Sequence, residues 1–272
     1  MIGASRTSLA ALREAVNARF DSADAAGLAA DGQSILSFAA LLGRERTLRQ
    51  TLADPAMDAG AKRSLLQRLL EGRVGPGAFD LIAETAGQRW SNDGDMIDAM
   101  DEAGASLLLM SAEKDGRLDR VEEEVFRFGR IIDSNPDLQM ALTNPAVDEQ
   151  SKAAIVSQLL DGKADPLTVS LLQTATTELH GRPVQVAVAN MSALAAQRRG
   201  RVVAEVRTAI PLSDEQTGRL TAALGRIHHR DVQLNVTVDP SIVGGLEIRV
   251  GDEVIDGTLS TRIEAARRRL TH

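Results

Sequence analysis

The chain has 272 residues, of which 43% are hydrophobic and only 2% aromatic, with no cysteine and a formal net charge of −7. Disulfide and thiolate chemistry are excluded, non-specific nucleic-acid binding is disfavoured, and an Ala- and Leu-rich, aromatic-poor chain suits packed helices better than a β-sandwich. The longest apolar run near the middle, Leu107-Leu108-Leu109-Met110, falls far short of the roughly 20 residues that span a bilayer, and Arg13, Glu14 and Arg19 stand where a signal peptide would keep an apolar core, so the chain is expected to reach a membrane only through partners.

The first element is an amphipathic helix carrying Leu9, Leu12, Val16 and Phe20. A helix from about Ser34 to Ala53 must stop before Asp54-Pro55, because the residue ahead of a proline is pushed out of the α region. Asp58 can cap the next helix, whose Leu65, Leu66, Leu69 and Leu70 follow helical spacing. Gly72 stands where a left-handed C-cap is expected, and Pro76 opens a further helix with Phe79, Leu81 and Ile82. A long helical stretch then runs from about Asp95 to Ile132, interrupted at Gly104 and Gly116, with Asp115-Gly116 as the break. Its later part buries Leu118, Val121, Val125, Phe128 and Ile132. Glu122, Glu123 and Glu124 beside Arg117, Arg120, Arg127 and Arg130 read as a salt-bridged exposed face.

The chain repeats itself, without gaps, at a spacing of 90 residues. Leu48, Leu52, Pro55, Ala56, Asp58, Lys62, Leu69, Leu70, Gly72, Pro76 and Leu81 return as Leu138, Leu142, Pro145, Ala146, Asp148, Lys152, Leu159, Leu160, Gly162, Pro166 and Leu171; Phe38 returns as Phe128. This is a duplicated helical unit. The two copies can share a helix in the 95–132 stretch.

After a helix through Met191, Leu194 and Ala195, Arg198-Arg199-Gly200-Arg201 makes a polar break. Val202, Ala204, Val206 and Thr208 alternate as a strand that Pro211 ends. Ser213 and Gln216 have the spacing of a capping box ahead of a helix with Leu220, Leu224 and Ile227. Val232, Leu234, Val236 and Val238 alternate again. Gly244-Gly245 allow positive φ or close approach, Leu246, Ile248 and Val250 form a third strand, Gly251-Asp252 turns into a short strand at Val254-Ile255, and Asp256-Gly257 turns once more. A terminal helix places Ile263, Ala266 and Leu270 on one face. The expected fold is mainly α: a first helical-bundle unit over 1–97, a second over 98–199, and a small α/β module over 200–272.

No catalytic constellation stands out. No Gly-Lys-Ser/Thr follows the glycine pair, so a phosphate loop is absent and the pair reads as structural. His228 and His229 are adjacent and point apart on a helix; His180 and His272 stand alone in sequence. Asp93, Asp95, Asp98, Asp101 and Glu102 lack the spacing of a calcium loop, since Gly94 comes too early, and read as a capped helix start. Trp90 reads as a packing residue. Cofactors and metals are expected to be none.

The ordered string of alternating strand, Gly244-Gly245, Arg249, Gly251-Asp252, Ile255-Asp256-Gly257 and a basic helix ending at Leu270 resembles the C-terminal signature of the F-type ATP synthase delta subunit, the bacterial counterpart of the oligomycin sensitivity-conferring protein. Thr258 stands where members often carry Ser. Gly244, Gly245, Arg249, Gly251, Asp256 and Gly257 are the signature positions. Delta subunits begin with a six-helix bundle, so the resemblance makes the first copy an extra unit. It implies a non-catalytic stator subunit at the cytoplasmic face of the membrane, with the alpha subunits of the head and the stalk b subunit as partners and no nucleic acid. Helix-in-groove binding would use open apolar seams, for which Leu12, Val16, Phe20, Phe79 and Ile82, and Leu167, Leu171 and Leu172, are the candidates, although bundle cores compete for the same stripes. The other reading is a helical adaptor whose α/β module binds a partner such as RNA; the module has no aromatic residue from Arg201 onward to stack on bases.

Overall fold

The punctuation read from the sequence is realised in a computed structural model that describes all residues except 2, 201, 229–231, 240, 241, 243, 251, 252 and 257–272. The described helices up to Arg198 are α1 (Ala4–Phe20), α2 (Ala25–Arg44), α3 (Arg46–Ala53), α4 (Ala59–Leu70), α5 (Pro76–Gly87), α6 (Asp93–Lys114), α7 (Leu118–Ser134), α8 (Pro136–Thr143), α9 (Glu149–Leu160), α10 (Pro166–Thr177) and α11 (Val184–Arg198). Adding 90 to the bounds of α3, α4 and α5 reproduces those of α8, α9 and α10. The same caps recur. Asp58 accepts from the backbone N–H groups of Gly60 and Ala61, and Asp148 from that of Ser151. Gly72 and Gly162 turn the chain after α4 and α9 at φ 70° and 64°, a conformation that costs a side-chain-bearing residue but not glycine.

One helix serves both copies. Met96, Ile97, Ala99, Met100, Ala103, Leu107 and Met110 of α6 pack in a first core with residues of α1, α2 and α5. Ala105, Leu108, Leu109 and Ala112 of the same helix enter a second core with α7, α10 and α11. The first bundle is therefore α1–α6 and the second α6–α11, and the boundary expected between residues 97 and 98 falls inside a continuous helix. Gly104, expected as an interruption, is a contact point: a Cβ there would lie 2.7 Å from Leu36 Cγ and 3.0 Å from the Gly32 carbonyl oxygen. The paired glycines let α2 and α6 cross closely, and Leu36 of α2 reaches through to the second core.

The helix expected over 34–53 is two helices. Asp24 caps α2 with a hydrogen bond from Gly27 N–H, and the chain leaves helical geometry at Glu45. Arg49 fixes the corner: its guanidinium donates to the Leu42 and Gly43 carbonyls at 3.2 and 3.1 Å and to Asp93 at 2.8 Å. Gln139 does the same in the second copy, donating to the Ile132 carbonyl at 2.6 Å, after a break at Asn135-Pro136. α2 has the length and apolarity to cross a bilayer, which a search for unbroken apolar runs does not detect. Here Leu28, Ile35, Leu36, Phe38, Ala39 and Leu42 fill protein cores instead.

The face expected to be an exposed salt-bridged stripe on α7 is only partly so. Arg120–Glu124 and Arg127–Glu123 form i,i+4 pairs, but Glu122 is fully buried. Glu124 also accepts from the Asp165 backbone N–H and the Thr168 hydroxyl, so it locks the start of α10. Trp90 packs on the first core and donates its indole N–H to the Thr85 carbonyl at 2.8 Å.

Contacts divide the chain into two units, Met1–Ala195 and Ala196–His272. In the second, β1 (Val202–Thr208), α12 (Asp214–His228), β2 (Val232–Val238), β3 (Leu246–Val250) and β4 (Glu253–Asp256) form a four-stranded sheet in the order β2-β1-β3-β4. β1 and β2 run parallel, Val202 opposite Val232 through Thr208 opposite Val238, with α12 as the crossover; β3 runs antiparallel to β1 and to β4. Ser213 and Gln216 exchange side-chain and backbone hydrogen bonds at the start of α12, the reciprocal box expected. Ala204, Val206, Leu224, Val232, Ile248 and Val250 make the core. Ile227, expected on the apolar face of α12, is 60% exposed. The expected terminal helix with Ile263, Ala266 and Leu270 lies outside the described residues.

Candidate functional site

The signature positions organise a strand crossing. After β2, Ile242 N–H bonds the Asp239 carbonyl. Gly244 and Gly245 then take φ 65° and 86° in succession, which carries the chain past β1 to start β3 on its far side. Two consecutive left-handed residues are tolerated cheaply only as glycines. Arg249 lies on the exposed side of β3, opposite Glu205 of β1 and Val254 of β4, an opposite-charge register that favours pairing. Two pairs along, on the same face, Arg207 of β1 bonds Glu247 of β3 at 2.8 Å and also Asp239. Asp256 ends β4 opposite Glu247. Gly251 and Gly257 lie outside the described residues.

The residues expected to line apolar seams are placed mostly inside. Leu12, Val16, Phe20 and Ile82 lie in the first core, and Leu171 and Leu172 are fully buried in the second. A bundle of short helices has one apolar stripe per helix, and here the cores take it. Phe79 and Leu167 are half-buried at the margins of their cores. Phe79 carries the Arg63 guanidinium over its ring at 4.8 Å, and Arg63 also pairs with Asp80. Beside α6 and α10 the second bundle is covered by α2: Ala29 and Leu36 pack on its core, and Ser170 donates to Gln33 at 2.9 Å. The large apolar side chains that are exposed on the helical unit include Ile131, Met140 and Val186. Met140 borders an open groove with Pro136, Gln139, Pro183 and Gln185. Sequence reasoning did not single these out; Met140 and Val186 stand two residues from the buried Leu142 and Val188, off the apolar faces of their helices.

A polar cluster that sequence reasoning missed lies between α6 and the turn joining α10 to α11. His180 Nε2 is 2.9 Å from Asp101 Oδ2, and Arg182 is 3.3 Å from Asp98 Oδ1. Asp95, Asp98 and Asp101 each keep one buried carboxylate oxygen without a hydrogen bond. Burial holds the carboxyls of Asp98 and Glu178 above their usual range. Burial pushes the His180 ring down, but the hydrogen bond and charge of Asp101, with Asp98 and Glu178, outweigh it and leave the ring above its ordinary value. Asp98, Asp101 and His180 bring three metal-ligating atoms within 4.8 Å of one another. A cation there would have to displace Arg182 and break the His180–Asp101 bond, so the arrangement fits an ion-pair network better than a metal site. The residues are 79 positions apart in sequence, which hides the pairing from local patterns.

Residues 104–270 match the family model of the ATP synthase delta (OSCP) subunit. That match begins inside α6 and takes in the second bundle and the α/β module. The ATP synthase subunit delta of Streptomyces griseus is 43% identical over 272 residues, covering 99% of each chain. That of Streptomyces coelicolor is 45% identical over 271 residues, covering 99% of this chain and 98% of that one. That of Thermobifida fusca is 40% identical over 270 residues, covering 99% of each. The part of the first bundle that precedes the family-model match, residues up to 103, is thus shared with these relatives along their length. A looser likeness, TM-score 0.43 at 22% identity, is to a chain of the Toxoplasma gondii mitochondrial ATP synthase hexamer, covering 63% of this chain and 97% of that one. The chain belongs to the ATP synthase delta (OSCP) subunit family and is a peripheral-stalk subunit of the F-type ATP synthase.

Proposed function

We propose that this subunit is a non-catalytic tether at the cytoplasmic face of the membrane, joining the alpha subunits of the catalytic head to the membrane-anchored b stalk. Held in this way, the head cannot follow the rotor, and rotation is coupled to ATP synthesis. The observation that supports the reading best is the sharing of α6. A tether works by stiffness, and a 22-residue helix with side chains in both cores cannot bend at the junction of the bundles without opening both. Tight attachment is also required: nanomolar binding corresponds to about −12 kcal/mol. Of the apolar residues expected to meet partners, Phe79 and Leu167 are the ones with surface to offer, and they are the contact positions we favour. No observation favours the RNA-binding adaptor.

Affinity purification of the tagged subunit from detergent-solubilised membranes tests the reading. The expected result is recovery of head and stalk subunits together, with no ATP hydrolysis by the purified subunit alone. Failure to recover either partner, or hydrolysis by the clean chain, would count against it.

A further inference from the structure

We propose that protonated His180 is a latch that fastens the α10–α11 turn onto α6 and the end of α2, and that the fastening loosens as pH rises through the titration of the ring. The inference concerns the helical unit alone and stands apart from the tether reading. His180 holds a backbone φ of 48°, a left-handed conformation uncommon for a residue with a side chain, so its contacts must fix it there. Those contacts reach three elements. The ring bonds Asp101 of α6, and a Cβ placed on Gly43, near the end of α2, would lie 3.4 Å from His180 Cε1. Glu178 and Arg182 belong to the turn itself.

The charges facing the ring make its proton matter. From α6 come Asp98 and Asp101, with Asp95 acting on Asp98 one turn earlier. From the turn come Glu178 and Arg182. Glu178 also feels Arg44 at the end of α2 and Glu149 at the start of α9, two groups paired to each other at 2.6 Å. With His180 neutral, the four carboxylates of Asp95, Asp98, Asp101 and Glu178 have Arg182 as the one cation in the turn. Protonation adds a second cation, bonded to Asp101.

The direction follows from linkage. A histidine whose folded value is raised above its ordinary 6.5 contributes stability that is complete below 6.5 and disappears as pH rises through the raised value. Asp98 and Glu178, raised by burial, act in the same direction: each ionises at a cost to the fold that the unfolded chain does not bear. The Arg182–Asp98 pair at 3.3 Å is left in place, so the turn remains tethered but loses its pH-dependent contact.

The test is an NMR titration of the four histidines in the full chain, with the His180 signal identified by its loss in His180→Gln. A midpoint above 6.5, falling in Asp101→Asn, is expected. In parallel, amide protection over 178–182, corrected for base-catalysed exchange, should drop several-fold as pH rises through the His180 midpoint in the wild type and much less over the same range in His180→Gln. If His180→Gln does not fold, sequential assignment of the wild-type chain identifies the ring, and the shift of its midpoint between wild type and Asp101→Asn decides. A His180 midpoint at or below 6.5, no fall in Asp101→Asn, or protection independent of pH, overturns the latch.

Discussion

Replacing Gly32 by alanine tests the weld between the two bundles. The added Cβ would lie 2.8 Å from the Gly104 carbonyl oxygen, 3.1 Å from Leu108 Cδ2 and 3.2 Å from Leu107 Cβ. The first of these is backbone of the shared helix, so α2 and α6 must move apart. Overpacking of a core costs about 1–3 kcal/mol, while alanine gains about 1 kcal/mol over glycine within a helix. The net is a loss of up to about 2 kcal/mol. Gly129→Ala in α7 is the control: its Cβ would meet Val188 Cγ1 at an ordinary 3.6 Å, so the gain of about 1 kcal/mol should come through. The variants should therefore differ by about 1–3 kcal/mol. In a unit spanning Met1–Ala195, each kcal/mol moves the melting temperature by about 2–4 °C. Thermal and urea unfolding followed by circular dichroism would read the difference. Gly104→Ala presses on the same crossing from the other side, so the double variant should lose less than the sum of the singles. If Gly32→Ala stabilises as much as Gly129→Ala, the close crossing does not carry the junction.

Leu52→Ala and Leu142→Ala empty equivalent, fully buried positions of the two cores, and each should cost about 2–5 kcal/mol. Because the cores meet along α6, each should shift one common unfolding transition of the helical unit and leave no second one behind. Asp58→Ala and Asp148→Ala remove matched N-caps and should each cost about 1 kcal/mol in urea unfolding. Arg49 holds the Asp93 carboxyl below its usual 3.8, so that pair contributes stability above pH 3.8 and loses it as pH falls through the depressed value. Asp93→Asn should accordingly be less stable at neutral pH and flatten the acid limb of the stability–pH curve; an unchanged acid limb would remove the pair from the account.

The repeat made most of the helical unit legible. Asp54-Pro55, Asp58 and Gly72, returning as Asn144-Pro145, Asp148 and Gly162, are local signals whose physics needs no partner. The bounds of α3–α5 and α8–α10 follow from them. The corner at Glu45 was not legible in the first copy, since Glu45-Arg46 carries no breaker. Its second-copy equivalent, Asn135-Pro136, does, and comparison across the repeat would have revealed it. Gly104 illustrates the opposite limit: a helix glycine that interrupts and one that admits a neighbour look alike until Gly32 is seen beside it. The same limit applies to the apolar residues offered as seams. Periodicity identifies a stripe, but whether Leu12 or Leu171 faces a core or a partner depends on how many neighbours the bundle supplies. The α/β module is legible strand by strand because alternation and glycines are short-range signals, whereas the parallel pairing of β1 with β2 is set by the crossover. The His180 cluster assembles residues distant in sequence, and neither the acidic run nor the lone histidine signals it alone.

If this subunit couples by holding, membrane vesicles stripped of it and re-supplied with it will show it through ATP synthesis driven by an imposed proton gradient. Synthesis should be lost on stripping and return with the full chain, while hydrolysis by the released head persists without it. Gradient-driven synthesis at an undiminished rate in vesicles lacking the subunit would contradict it.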